Sequence, residues 1–565
     1  MHPQDLNQQQ NNINSLVSAL AKKGLKYVVI SPGSRNAPLL MAFQRHSSIK
    51  CFSVIDERSA GFIALGMAKK LQEPVALLCT SGSAVLNYYP AISEAFYMQV
   101  PLIAISADRP PELLDRWDGQ AIHQFDVFKN HIRGSYNTPE NTEAEQCKTF
   151  YEMGANAYSN SMNPIAGPTH INVPLREPLY EAAETAFEYP VFELLQSVVP
   201  DQISDLPVMD EKFFSDFSKI LILNGAANQS QQANQALNKI KKQNKVVVLS
   251  DIISNKHSEN SFQNWESILL NANDVQKLDL IPDLLITTGK MVLSKSLKSL
   301  LKKSEIKLHW HIAENGYCAD TFFSLPKVFK LSDFEFFEQF NKHLPESLNN
   351  CYSDIWSRYS ESQSNESRIL DSNDFNEFNL MSKVLKALPR ELLNLNISNS
   401  MGVRLAAYNL AYFSPNWNVY SNRGVSGIDG CSSTALGIAL IDPIQNYFIT
   451  GDLAFLYDIN AFLVNEMPKN LKVVIMNNDG GGIFRNIEGP SKMQESNPFV
   501  YTPHQLNAKH LASHYKVRYI SAANQEQFDV GLNEFIQCQG ICFFEVFSDS
   551  KHNTQFFNQY KQIQI

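Results

Sequence analysis

No run of apolar residues in this 565-residue chain reaches the roughly 18 that a membrane-spanning helix needs. A bilayer span is therefore not expected. The segment MHPQDLNQQQNN is polar and has no apolar stretch of the kind that leads a secretory signal, so a cytoplasmic location is expected. Cysteine is scarce. The chain has eight cysteines, and the nearest pair, Cys538 and Cys542, forms a C-x3-C with no second pair beside it. That excludes a disulfide-stapled scaffold and points to reduced, mostly buried thiols. An excess of basic charge is lacking too. Lys and Arg total 48 against 57 Asp and Glu, a formal charge of −9. This argues against a general nucleic-acid binder, although a net charge does not describe any one cleft. No short-period repeat is present.

What is present is the composition of an ordinary folded protein, 44% hydrophobic and 19% charged. The length suggests about three or four domains. Ile13, Leu16, Val17 and Leu20 recur at helical spacing, and Gly24 follows as a C-cap. Strand-like 27–30, 51–55, 75–79 and 102–106 then alternate with helix-like 38–46, 59–71 and 84–98. Residues 186–212 read as a Pro- and acid-rich linker. A second α/β stretch holds KILILNG (219–225), KVVVLSD (245–251), DLLITTGK (283–290) and KLHWHIAE (307–314). Polar residues 349–377 read as another linker. WNVYS (417–421), QNYFIT (445–450), LKVVIM (471–476) and ICFFEV (541–546) follow. The pattern predicts three consecutive α/β modules, 1–185, 213–348 and 378–565, with doubly wound, mainly parallel sheets covered on both faces.

Parallel sheets bind ligands beyond the carboxyl ends of their strands. In the first module those exits are SPGSRNAP (31–38), DERS (56–59), TSGSA (80–84) and ADRPPE (107–112). In the last they are SNRGVSGIDG (421–430), TGDLAFLYD (450–458) and NNDGGGIF (477–484). A single Gly-rich loop is weak evidence, because turns need glycine anyway. Asp452 closes a strand just before a helix, a place suited to phosphate. One strand later comes Asn477-Asn478-Asp479-Gly480. A carboxylate, an amide oxygen and a backbone carbonyl are hard donors that suit Mg²⁺. The plainer alternative is a helix cap followed by a turn.

The G-D…N-N pair at this spacing resembles the signature of thiamine-diphosphate enzymes. Together SPGSRNAPL, DERSAGF, TSGSAVLN, ADRPPEL, SNRGVSGIDG and GDLAFLYDIN resemble the 2-succinyl-5-enolpyruvyl-6-hydroxy-3-cyclohexene-1-carboxylate synthase family of menaquinone biosynthesis. The resemblance spans essentially the whole chain and is weakest in the middle module. It implies a pyrimidine-binding domain, a central domain and a diphosphate- and metal-binding domain, all of the thiamine-diphosphate-enzyme type. It implies thiamine diphosphate and Mg²⁺ (or Mn²⁺) as cofactors. The implied reaction decarboxylates 2-oxoglutarate and adds the succinyl carbanion to isochorismate in conjugate fashion.

Residue by residue, Glu57 matches the family's activating glutamate; alone, it would read as an acid at a helix N-terminus. Asp452, Asn478 and the Gly480 carbonyl match the metal ligands, and Asp479 should not alter that set if its side chain points away. Ser81, Gly82, Gly451, Ile483 and Phe484 match cofactor-lining positions. Ile428 matches the apolar support beneath the cofactor, or is simply a core isoleucine. Ser34, Arg35, Arg109, Gln120, Ser400, Arg404 and Arg423 match substrate contacts, with Lys295 from the middle module. Many members carry an arginine after that lysine. Here Ser296 follows, so Lys290 competes with Lys295. Four arginines suit two dicarboxylate substrates, since guanidinium matches carboxylate geometry. None of these loops contains a histidine, and the thirteen histidines are expected in solvated or core roles. The resemblance also implies a homodimer or homotetramer with sites shared between subunits. Two rivals stand: another thiamine-diphosphate enzyme acting on small monocarboxylates, and a nucleotide-binding regulator suggested by NGAANQ (224–229), a poor match to G-x-G-x-x-G.

Overall fold

The computed structural model describes residues 3–140, 146–180, 187–193, 206–257, 262–367, 373–487, 489–493 and 495–565. Short runs of branched and aliphatic residues form its strands. Most are buried end to end, as strands covered on both faces must be. The first sheet contains β1 (Tyr27–Ile30), β2 (Lys50–Ser53), β3 (Val75–Cys79), β4 (Leu102–Asp108), β5 (Gly134–Asn137) and β6 (Pro168–Pro174). The second contains β7 (Ile220–Asn224), β8 (Val247–Ser250), β9 (Leu284–Thr288), β10 (Leu308–Ile312) and β11 (Lys327–Phe329). The third contains β12 (Leu393–Ile397), β13 (Trp417–Tyr420), β14 (Asn446–Gly451), β15 (Leu471–Asn477), β16 (Arg518–Ala522) and β17 (Cys542–Phe547).

All described strand pairs are parallel, with registers such as Val29↔Leu77 and Ile449↔Val474. The orders are β2-β1-β3-β4-β6-β5, β11-β10-β9-β7-β8 and β13-β12-β14-β15-β17-β16. The first and third sheets thus repeat one order, and the second, read from β8, repeats its first four places, 2-1-3-4. In each outer sheet the direction of winding reverses where two neighbouring exits diverge, between β1 and β3 and between β12 and β14. Ligands bind at such a switch point.

The chain divides into two compact units. The first comprises Met1–Val199, Asn422–Pro443 and Ala454–Asn470; the second comprises Pro200–Ser421, Ile444–Leu453 and Leu471–Ile565. In the first, Ile13, Leu16, Val17 and Leu20 join Val28, Ile30, Leu78 and Ile105 in one core. The helices Glu57–Leu71 and Cys431–Ile441 pack closely there. In the second, residues beneath the middle and third sheets share one core.

Of the residues read as a linker at 186–212, those at 186 and 194–205 lie outside the described set. The other polar stretch, 349–377, contains the helix Cys351–Ser367. Tyr352 and Trp356 are buried in the core, and Tyr359 packs against it. The Tyr352 hydroxyl donates to the Leu280 carbonyl at 2.7 Å. Three aromatics on one face seat an otherwise hydrophilic helix. All eight cysteines are free, four of them buried. Among the described residues no helix is long and apolar enough to cross a membrane.

Candidate functional site

In the first unit the exits of β1, β3 and β4 bring the expected residues to one sheet edge. Gly82 donates its N–H to Gln124 Oε1 at 2.7 Å. The Gln124 amide in turn donates to the Ala107 carbonyl and to Asn172 Oδ1, each at 3.0 Å. One buried amide therefore ties together the exits of β3, β4 and β6. Gln120 stands directly against Gly82. Ser81 is buried, and its Oγ has no hydrogen-bond partner among the described residues.

Arg35, only 4% exposed, donates to the Leu175 carbonyl at 3.0 Å and to Glu177 Oε1 at 2.9 Å. Arg109 lies 4.0 Å from the same Glu177 oxygen and 3.9 Å from Asp118. Burial, then the neighbouring Arg109, pulls the Arg35 guanidinium below its ordinary value, while Glu177 opposes the shift. The structure thus places two guanidiniums together, and an exposed carboxylate, Glu177, occupies their shared field.

Glu57 begins the helix Glu57–Leu71, whose N-cap Asp56 accepts from the Arg58 and Ser59 N–H groups. Asn460 fixes the other Asp56 oxygen at 2.7 Å, and Asp458 lies 3.7 Å from Arg58. A helix N-terminus should favour a charged carboxylate. Half-burial wins instead and raises the Glu57 pKa; its own backbone N–H lowers it and Asp56 raises it further. Arg423 and Ile428 sit on the loop that follows β13, and both are partly exposed, so Ile428 is not a fully buried core residue.

In the second unit the exit of β14 passes directly into the helix Asp452–Tyr457. Asp452 Oδ1 accepts from the Leu453 N–H at 2.7 Å, and Oδ2 accepts from the Gly480 N–H at 2.8 Å. Asn478, 8% exposed, donates from Nδ2 to Glu377 Oε1 at 2.6 Å. Its Oδ1 is buried with no described partner. Gly480 adopts φ +136°, and a Cβ there would lie 2.2 Å from the Tyr501 carbonyl. Only glycine accommodates that backbone. The Asp479 carboxylate points elsewhere, accepting from the His504 and Gln505 N–H groups at 2.9 and 2.6 Å. Ile483 and Phe484 follow in a short 3₁₀ turn and are partly exposed.

Among the described residues no three His, Cys, Asp or Glu side chains form a metal cluster. The donors here are of mixed type: one carboxylate, one amide oxygen and one carbonyl. A buried amide oxygen without a partner, oriented by a carboxylate behind it, suits a hard cation.

Ser400 and Arg404 lie at the other half of this switch point, after β12. Ser400 has φ +71°, and its carbonyl accepts from Arg404 Nη1 at 2.5 Å. Burial lowers the Arg404 pKa, while Tyr408 and the buried Glu266 raise it. Lys290 and Lys295 are both exposed after β9.

Four contributors carried no sequence signal. Gln124 and Glu177 sit in stretches without a motif. Glu377 lies in the segment read as a linker. His504 Nε2 reaches Asp452 Oδ2 at 3.2 Å, and that hydrogen bond raises the His504 pKa ahead of the opposing burial. The expectation that histidines stay in solvated or core roles therefore fails for His504, because the loop after Tyr501 folds back over the acid.

Two family models match: "Thiamine pyrophosphate enzyme, N-terminal TPP binding domain" over residues 11–129 and "Thiamine pyrophosphate enzyme, C-terminal TPP binding domain" over residues 391–546. The chain is 36% identical over 550 residues to a protein of Flavobacterium johnsoniae, covering 97% of each chain. It is 34% identical over 548 residues to one from Desulfotalea psychrophila, covering 96% of this chain and 98% of that one. Both relatives are named 2-succinyl-5-enolpyruvyl-6-hydroxy-3-cyclohexene-1-carboxylate synthase. With both thiamine-pyrophosphate domains in place and near-full-length identity of this order, the chain belongs to the 2-succinyl-5-enolpyruvyl-6-hydroxy-3-cyclohexene-1-carboxylate synthase family of thiamine-diphosphate-dependent enzymes.

Proposed function

We propose that this enzyme decarboxylates 2-oxoglutarate and joins the resulting succinyl unit to isochorismate by conjugate addition, as a cytoplasmic step of menaquinone biosynthesis. Thiamine diphosphate, when bound, supplies a thiazolium carbon that serves as nucleophile and electron sink. The residues after β14 and β15 hold its diphosphate through Mg²⁺ (or Mn²⁺), with Asp452, the Asn478 Oδ1 and the Gly480 carbonyl as ligands. Gly451, Ser81 and Gly82 allow close backbone approach, and Ile428, Ile483 and Phe484 exclude water from the reacting face. Glu57 shares a proton with a ring nitrogen of the aminopyrimidine, a task suited to a carboxyl whose pKa burial has raised.

Arg35, Arg109, Arg404 and Arg423 bind the substrate carboxylates, assisted by Ser34, Gln120 and Ser400. Lys295 or Lys290 adds a cation from the central domain. Residues 1–185 form the pyrimidine-binding domain, 213–348 the central domain and 378–565 the diphosphate-binding domain. The active assembly is a homodimer or homotetramer with sites shared between subunits. Exposed apolar side chains of the first unit, Ile55, Leu86, Tyr97, Val425 and Tyr457, support that reading.

One observation carries the proposal: the buried Asn478 Oδ1, without a partner among the described residues, on an amide that Glu377 holds in place. Purified protein supplied with thiamine diphosphate, Mg²⁺, 2-oxoglutarate and isochorismate should release carbon dioxide and form the adduct. Turnover of pyruvate with no consumption of 2-oxoglutarate would reject it.

A further inference from the structure

The loop carrying Arg423 is held by a residue not yet given a role. Glu94, on the helix Tyr89–Met98, is 2% exposed. Its Oε1 accepts from the Gly424 N–H at 2.7 Å, and its Oε2 accepts from the Val425 and Ser426 N–H groups at 2.6 and 3.1 Å. We propose that Glu94 is the positioning residue for Arg423: its buried carboxylate fills a nest of three successive backbone N–H groups and so fixes the loop that presents the guanidinium.

Consecutive N–H groups that converge in this way make an anion-binding concavity, commonly occupied by a phosphate. Ser426 has φ +68°, and this left-handed turn closes the nest. Here the anion is internal. The two partners depend on each other. A buried carboxylate is costly without compensating donors, and three orphaned N–H groups would be costly without the carboxylate. Two further observations show how tightly the loop is seated. A Cβ at Gly424 would lie 2.5 Å from the Glu94 carbonyl, so the loop backbone rests directly on this helix. At the other side of Arg423, the Asn422 amide donates to Thr434 Oγ1 at 2.8 Å. Arg423 therefore lies between two anchors. Releasing one of them lets its Cα drift, and misplacement by about 1 Å can cost on the order of 10²-fold in rate.

The proposal rests on Arg423 being a substrate contact, so the test separates the two. In Glu94→Gln, one nest-facing oxygen becomes an NH₂ group that opposes the backbone donors. Hydrogen exchange of the intact enzyme, read on the peptide spanning 421–430, should accelerate about tenfold or more, as expected when a charge-assisted bond is lost. In a double-mutant cycle, Glu94→Gln and Arg423→Ala should each lower kcat/KM for isochorismate or 2-oxoglutarate by about tenfold. Glu94→Gln should then add less than about twofold in the Arg423→Ala background. Gly424→Ala keeps the carboxylate but lifts the loop, and should give the same exchange and kinetic changes if Glu94→Gln does not fold. Unchanged exchange, or losses that multiply in full, overturn the positioning role while leaving Arg423 as a substrate contact. Wild-type kinetics for Arg423→Ala, with accelerated exchange in Glu94→Gln, overturn the Arg423 assignment and the positioning role with it.

Discussion

Replacing Glu377 should weaken metal-assisted cofactor binding although its carboxylate is not a proposed ligand. The Asn478 amide has two ends, and the contact between Nδ2 and Glu377 Oε1 at 2.6 Å decides which faces the carboxylate. Oδ1 is left buried on the other side. Removing the acceptor by Glu377→Ala frees the amide to rotate and to present hydrogens to the cation. Burial, opposed by the Asn478 hydrogen bond and reinforced by the Asp452 charge, pushes Glu377 up to about 7. The bond therefore lies between one to a carboxylate, worth about 1.5–3 kcal/mol, and a neutral one, worth about 0.5–1.5. An intermediate loss of about 1–2 kcal/mol corresponds to roughly 5- to 30-fold in affinity. Calorimetric titration of Mg²⁺ at saturating thiamine diphosphate measures this. Glu377→Gln keeps an acceptor oxygen and should stay within about threefold of wild type. A wild-type Mg²⁺ affinity in Glu377→Ala, or a Gln variant as impaired as the Ala variant, would refute the reasoning.

Three further outcomes are expected. Glu57→Gln should keep the fold and the cofactor yet lose nearly all turnover, checked by dialysis and product formation. Its pH dependence has a definite sign. A carboxyl with a raised folded pKa holds its proton after the unfolded chain has released it, so wild-type stability falls as pH rises above the ordinary glutamate range. The melting temperature of the Gln variant relative to wild type should therefore climb from mildly acidic to neutral pH. Arg404→Ala should lower kcat/KM by roughly 10- to 150-fold through a lost charge-assisted contact, and steady-state kinetics with each substrate will show it. Gly480→Ala must force a Cβ against the Tyr501 carbonyl at φ +136°. About 1–3 kcal/mol of backbone strain is expected, read as a lower melting temperature and weaker thiamine diphosphate binding.

The strands built from uninterrupted aliphatic runs were visible in the sequence because burial on both faces writes itself as composition. β6 and β12 were not. β6 begins and ends with proline and contains His170 and Asn172, all signals of turns rather than sheets. It is stabilised by a polar ladder that only the fold assembles: Ser106 Oγ meets His170 Nε2 at 2.8 Å, and the Asn172 amide donates to Asp108 and Asn137 at 2.8 and 2.9 Å. β12 alternates leucine with the buried Asn394 and Asn396, and Asn394 bonds Asn446 across the sheet at 3.1 Å. The candidate site divides in the same way. Residues at strand exits carried motifs and could be named. Glu377, His504, Gln124 and Glu94 act from the sides and hold those motifs in place. Their identity depends on which loops meet, and no local pattern records that.

The repeated strand order gives one chain two sheet edges whose corresponding exits differ in chemistry. The first and third sheets share the order 2-1-3-4-6-5 when their strands are numbered from the start of each, so both present a switch point at equivalent exits. The first sheet places Arg35 and Ser81 at its switch point, with Arg109 at the next exit. Guanidinium and hydroxyl groups there suit carboxylate ligands. The third sheet places Asp452 at its switch point and Asn478 at the next exit, which are oxygen donors suited to a cation that itself binds diphosphate. A backbone arrangement that orients ligands does not dictate their charge: the exits after β1 and β12 both carry an arginine, Arg35 and Arg404, whereas those after β14 and β15 carry oxygen donors where β3 and β4 are followed by Ser81 and Arg109. The same logic lets guanidinium groups gather at strand exits in a chain of net charge −9. Of the carboxylates beside these guanidiniums, Asp108 is buried and accepts from the Asn172 amide, whereas Glu177 is exposed and stands where an incoming dicarboxylate would compete for Arg35 and Arg109.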